Sequence, residues 1–185
     1  MSSKDKQALI TLLAERSARR GSFTLSSGKQ SSLYIDARLT TMSPEGLSLI
    51  GPLGLQALHG ARWSVSAVGG LTLGADPIAY AISYASAKTP SPIRAFTVRK
   101  EAKAHGTGKL IEGPFERQDR VAIVEDVITT GASAARAAEA VRAAGGVVEG
   151  VLALVDRQEG GREYLEEMGL AVVSLVSAAE ILAIT

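Results

Sequence analysis

The chain has 185 residues, 46% hydrophobic and 21% charged, with 20 Lys and Arg against 19 Asp and Glu for a net charge of +1. That usage excludes global disorder and a polycation that coats nucleic acid, and the length suits one domain over residues 1–185. Cysteine is absent and histidine is limited to His59 and His105, which excludes a disulfide framework, a thiolate metal site and a cysteine nucleophile, and argues against zinc.

Residues 4–19 are expected to form an amphipathic helix with Leu9, Leu12 and Leu13 on one side, stopped by Gly21. The apolar part of this segment is followed at once by Glu15, Arg16, Arg19 and Arg20, unlike a signal peptide. No apolar run approaches the roughly 18 residues of a membrane span. The cytoplasm is the expected compartment, with neither membrane nor nucleic acid as partner. Two short strand-like runs, 22–25 and 33–36, flank a polar turn and predict a hairpin. Ser43 and Pro44 open a second helix, to about His59, where a cation at a helix end needs no functional role.

From residue 63 onward strands and helices alternate. Strands are expected at 63–68, 93–98, 121–124, 147–155 and 170–176, and helices at 74–87, 133–144 and 162–168. The pattern predicts an α/β fold, with a mostly parallel central sheet flanked by helices and a small N-terminal helix-hairpin cap over 1–42. One stretch, 99–120, breaks the alternation and reads as a long functional loop. Within it Arg99, Lys100, Lys103 and Lys109 face only Glu101, a local +3 that leaves −2 for the rest of the chain. Positive charge gathered in one loop points to an anionic ligand.

The strongest chemical signal is 121–133, Val-Ala-Ile-Val-Glu-Asp-Val-Ile-Thr-Thr-Gly-Ala-Ser. The apolar strand brings Glu125 and Asp126 to its C-terminal end, where ligands bind in open α/β sheets. Thr129, Thr130, Gly131, Ala132 and Ser133 then form a small-residue loop at a helix N-terminus, whose N–H groups and hydroxyls can hold a phosphate. Acceptors for ribose hydroxyls directly before donors for a phosphate suit a sugar phosphate. Rival phosphate motifs fail: there is no GxGxxG, and around Gly108-Lys109 the spacing lacks the Walker glycine and the following Ser or Thr.

This segment resembles the phosphoribosyl diphosphate signature of the type I phosphoribosyltransferases, and the wider chain resembles the orotate phosphoribosyltransferases. The likeness runs through the hairpin 23–29, the loop 98–106 and the segment 156–161, and spans residues 9–176. It implies Mg²⁺-dependent transfer of the 5-phosphoribosyl group from phosphoribosyl diphosphate to orotate, giving orotidine monophosphate and pyrophosphate in pyrimidine synthesis. By the resemblance, Glu125 and Asp126 hold the ribose, and Val127, Ile128, Thr129, Thr130, Gly131, Ala132 and Ser133 hold the 5-phosphate. Thr129 and Arg157 face orotate. Arg99, Lys100, Lys103 and His105 belong to a flexible catalytic loop, and Lys103, His105 and Asp126 carry the catalysis.

Arg157 suits a carboxylate because its guanidinium binds two oxygens at once; the plainer alternative is an ion pair with Asp156 or Glu159. No protein ligand for the metal is singled out, because Mg²⁺ is often held by substrate phosphates and water. The resemblance further implies a homodimer in which the loop of one subunit completes the site of the other. Residues 68–74 resemble a loop along pyrophosphate, yet Leu73 and Ser26 stand where one branch of the family has lysines. Asp76 has no role legible in the sequence. A purine phosphoribosyltransferase would need neither the loop pattern nor Arg157, and a nucleic-acid-binding regulator would need a basic face beyond the loop.

Overall fold

The computed structural model describes residues 3–24, 30–101 and 109–184. Helix α1 (Ser3–Arg16) is followed by the antiparallel hairpin β1 (Ala18–Thr24) and β2 (Gln30–Ile35), the short helix α2 (Arg38–Thr41) and helix α3 (Pro44–Gly60). Then come β3 (Ala67–Leu71), α4 (Ala75–Ser86), β4 (Arg94–Val98), the two-residue β5 (Ile111–Glu112), β6 (Arg120–Ile128) and α5 (Ala132–Ala143). The chain continues through β7 (Val147–Asp156), α6 (Gly161–Glu167), β8 (Val172–Ser177) and α7 (Ala178–Leu182).

The central sheet has the order β5-β4-β3-β6-β7-β8, parallel except for β5 at one edge. Side chains alternate across it, as the two-residue repeat of a strand requires. Val68, Ala122, Val124, Leu152 and Leu154 face a core built with α1, α3 and α4, through Leu9, Leu13, Ile50, Ile78 and Ile82. Ala67, Val121, Ile123, Val151 and Ala153 face the opposite core, with Ala134, Ala138 and Val141 of α5 and Leu165 of α6. Both sheet faces are thus covered, which is why the inner strands are apolar throughout.

Several boundaries differ from the sequence reading. Helix α1 ends at Arg16, not near Gly21, because the chain turns at Ser17. The Ser17 hydroxyl is buried 2.8 Å from that of Thr40, and the Ser17 carbonyl accepts the Asp36 N–H at 3.0 Å. Gly21 instead sits inside β1, at the register shift between Arg20 and Phe23. The strand expected at 63–68 begins only at Ala67; Trp63 packs on the core instead, in the space left by Gly150. Gly69 and Gly70 therefore belong to β3, where a β-carbon would meet the Phe96 carbonyl at 2.3 Å and the Val124 carbonyl at 2.0 Å. Their small size is required by this close packing.

Strand β6 runs four residues past Val124. Helices α2 and α7 and strand β5 are too short to show periodicity. In 99–120, the reading of one unbroken loop gives way over 109–120. There β5 pairs with β4, and Phe115 packs edge-on against Phe96 with ring centroids 5.5 Å apart.

Candidate active site

The connection order reverses between β3 and β6. From β3 the chain proceeds to β4 on one side, and from β6 to β7 and β8 on the other. Strand β3 pairs with β6 only as far as Gly69 with Ile123, whereas β6 continues along β7 to Ile128 with Asp156. A crevice opens where one partner has left, at the topological switch point of the sheet. It has a volume of about 280 Å³, and its lining includes Glu125, Asp126, Val127 and Ser133, with Thr72, Leu73 and Gly74 on the β3 side and Lys100 from the end of β4. The remaining wall is Leu71 and the segment 34–38, which is the end of β2 and the residues just after it.

Glu125 and Asp126 are therefore in the strand rather than past its end. Glu125 is 7% exposed. Burial, reinforced by the neighbouring Asp126 charge and a hydrogen bond with it, pushes its carboxyl well above the usual carboxylate range. Asp126 is half-buried, and its Oδ1 accepts the Val127 N–H at 2.8 Å. A β-carbon on Gly74 would lie 2.5 Å from the Asp126 carboxylate, so this glycine makes the room that Asp126 occupies. The pair is thus asymmetric: both line the crevice, but the Glu125 carboxyl is buried and raised above its ordinary range, whereas Asp126 is half-buried.

The turn after β6 is held in shape by glycines. Gly131 has φ +78°, and a β-carbon there would meet the Gly161 carbonyl at 2.7 Å. Thr130, Ala132 and Ser133 are exposed, and the Thr130 hydroxyl accepts the Ala132 N–H at 3.4 Å. Thr129 is half-buried on the same turn. Ile128 differs in kind: its side chain is 1% exposed and belongs to the core, so only its main chain is available to a ligand.

Arg157 follows β7 directly. It is buried, and its Nη2 donates to the Leu33 carbonyl and to Glu159 Oε1, both at 2.8 Å. Its main-chain N–H reaches the Ile128 carbonyl at 3.0 Å. Arg157 thus ties the β2 strand to the end of β6, and of the two ion pairs weighed from sequence it forms the one with Glu159. Asp156 binds Arg162 instead. Arg99 leaves β4 with its N–H on the Leu110 carbonyl at 2.8 Å and its guanidinium 3.5 Å from Glu112. The Lys100 carbonyl accepts from Arg136 of α5. Lys103 and His105 lie outside the described residues, as do Ser26 and Lys29.

Sequence reasoning missed the wall at Tyr34, Asp36 and Arg38. Its local signal was Asp36-Ala37-Arg38, an aspartate two residues before a helix start, where Asp36 Oδ1 takes the Arg38 N–H at 3.2 Å. Asp76 also gains a role. It is buried and accepts the hydroxyls of Thr72 at 2.7 Å and Thr97 at 2.8 Å, which fixes the β3 side of the crevice.

Among the described residues no cluster of three or more metal-ligating side chains occurs. The crevice offers the carboxyls of Asp36, Glu125 and Asp126; with Glu125 buried and Asp36 gripped by Arg38, Asp126 is the residue that would hold a divalent ion bound mainly through substrate oxygens.

No family model matches the sequence. An orotate phosphoribosyltransferase of Aquifex aeolicus is 45% identical over 181 residues, which cover 96% of this chain and 98% of that protein. The orotate phosphoribosyltransferase of Mycobacterium tuberculosis, solved with Fe(III) dicitrate, superposes with a TM-score of 0.84 at 45% identity, covering 96% of this chain and 98% of that one. The same enzyme solved with 5-phospho-α-D-ribosyl 1-diphosphate gives a TM-score of 0.81 at 42% identity over the same shares. With this identity over nearly its whole length and this agreement of fold, the chain belongs to the orotate phosphoribosyltransferases, pentosyltransferases of pyrimidine synthesis.

Proposed function

We propose that this enzyme works in the crevice between β3 and β6, and that its own residues divide the donor among them. Glu125 and Asp126 take the ribose hydroxyls, and the turn 127–133 takes the 5-phosphate through main-chain N–H groups and the Thr130 and Ser133 hydroxyls. The supporting observation is the acid pair, one member raised toward its protonated form and one half-buried, immediately before an exposed turn of small residues at the switch point. A protonated Glu125 donates a hydrogen bond as well as accepting one, which lets two adjacent carboxyls hold a diol without doubling the negative charge beside a phosphate.

The ribose C1 bond to the diphosphate oxygen breaks as a bond to N1 of orotate forms, the N1 proton leaves with the diphosphate, and C1 passes through oxocarbenium character. Negative charge therefore develops on the leaving diphosphate. Lys100 at the crevice, and by the family resemblance Arg99, Lys103 and His105, supply positive charge or a proton there, in a site that excludes water. Mg²⁺, when bound, would screen the same charge, and Asp126 is the residue we expect to hold it through water. Orotate binds between Thr129 and Arg157, whose guanidinium is anchored by Leu33 and Glu159 and so presented at low entropic cost.

The reading includes one domain, with 1–42 as its hood and 99–120 as the catalytic loop region, and a homodimer that shares that loop. An apolar groove of about 630 Å³ on α3 and α4, lined by Pro44, Leu47, Pro52, Tyr80 and Tyr84, supports a second copy as partner. Tyr84 is 86% exposed there, with Leu39 and Met42 also open. The location we assign is the cytoplasm, where phosphorylated substrates too charged to cross a membrane are made and used. Among the described residues no helix is long and apolar enough to cross one.

The test is loss of orotate absorbance with phosphoribosyl diphosphate, run with and without Mg²⁺, with adenine, hypoxanthine and uracil as separate acceptors. Turnover of orotate alone, dependent on Mg²⁺, is expected. Turnover of a purine but not orotate, or metal-independent turnover, refutes the reading.

A further inference from the structure

The crevice has to neutralise a donor that carries a phosphate at one end and a diphosphate at the other. The phosphate end faces main-chain donors of the turn 129–133. The diphosphate end carries more charge and needs side-chain cations, and two among the described residues line the crevice: Lys100 and Arg38. They face the carboxyls of Asp36, Glu125 and Asp126.

Arg38 is built for this task. Its Nε and Nη2 are gripped by Asp36 at 2.8 and 3.0 Å, while its side chain remains 50% exposed. Nη1 makes no hydrogen bond among the described residues. Asp36 thus fixes the orientation of a guanidinium that still has donors to give, so the fork loses little freedom when an anion arrives. The hydrogen bond from Arg38 holds the Asp36 carboxyl below its ordinary range, so the pair stays charged. The guanidinium feels the charge of Asp36 first, and that of Asp126 across the crevice as well. An ion pair serving only the surface would not face the acid of the opposite wall.

We propose that Arg38 is a binding residue for the diphosphate end of the donor, contributing a cation from the hood on the wall opposite Asp126. This rests on the placement of the donor in the crevice given above. Leu73, 53% exposed on the β3 side, cannot supply such a contact.

The test compares Arg38→Gln and Arg38→Lys with wild type by calorimetric titration with inorganic pyrophosphate and, separately, ribose 5-phosphate, both with Mg²⁺. Losing a charge-assisted contact is expected to weaken pyrophosphate by about tenfold in Arg38→Gln. Arg38→Lys, which keeps the charge without the fork, is expected to lose roughly threefold. Ribose 5-phosphate should bind both variants as it binds wild type. Pyrophosphate affinity within twofold of wild type in Arg38→Gln overturns the proposal. So does equal weakening of both ligands, which marks a distorted crevice. Should Arg38→Gln fail to fold, Arg38→Lys decides, and unchanged pyrophosphate binding in it overturns the proposal. Wild type that binds pyrophosphate but does not convert orotate refutes the functional reading instead and leaves the Arg38 result standing.

Discussion

A single methyl group at Gly74 should separate catalysis from stability. Gly74 precedes α4 with φ −63° and ψ −41°, a conformation alanine adopts freely. Its missing β-carbon would lie 2.5 Å from Cγ and Oδ2 of Asp126 and 2.7 Å from Oδ1. Ordinary contact begins at 3.4 Å, so Gly74→Ala drives the carboxylate back by roughly 0.9 Å, a misplacement of the size that costs on the order of a hundredfold in rate. We expect kcat/KM to fall by about 10- to 100-fold, or about 1.4 to 2.7 kcal/mol of transition-state stabilisation.

Stability should scarcely change. Moving Asp126 forfeits the hydrogen bond from the Val127 N–H, worth about 1 kcal/mol. The lost entropy of the unfolded chain returns about 0.4–1 kcal/mol. Steady-state kinetics and thermal melting of the same preparation provide the assay. Gly60→Ala, with nothing within 4 Å of the new methyl, is the control and should match wild type in kinetics. Activity of Gly74→Ala within twofold of wild type would refute the role of the Asp126 position. A fall in Tm beyond about 4 °C would show that the backbone moved instead.

Two further outcomes follow from the same geometry. Glu125 holds a proton in the native state that the unfolded chain releases above the ordinary carboxyl value of 4.5. Native stability should therefore decline as pH rises from there through the raised native value, and Glu125→Gln should abolish that decline; urea unfolding from about pH 4 to 9 with the same slope in both proteins would contradict it. For the shared loop, Lys103→Ala and Asp126→Ala homodimers should each be nearly inactive, and reassembled mixtures should regain partial activity through hybrids with one intact site. No recovery, with hybrids demonstrated by native mass spectrometry, would remove the loop from the neighbouring subunit's site.

The alternation of strands and helices was legible because it rests on local periodicity and on apolar runs that persist whatever their neighbours. So was the chemistry of 121–133, since acids, hydroxyls and a glycine lie within one short segment. The β6 boundary was not. Glu125 and Asp126 look like the end of a strand, yet pairing with β7 carries the strand past them. Likewise the sequence does not show that the glycines at 69 and 70 lie inside β3, packed under carbonyls of β4 and β6.

What the sequence determined by itself is the fold class, the acid pair and the small-residue turn, because each depends on residues close in the chain. Only the tertiary structure decided that β3 leaves β6 to open the crevice, that burial raises the Glu125 carboxyl above its ordinary range beside a half-buried Asp126, and that the segment with Asp36 and Arg38 forms the facing wall. Which side of the crevice each segment reaches, and how deeply each carboxyl is buried, depends on contacts between residues far apart in the chain, which local pattern does not encode.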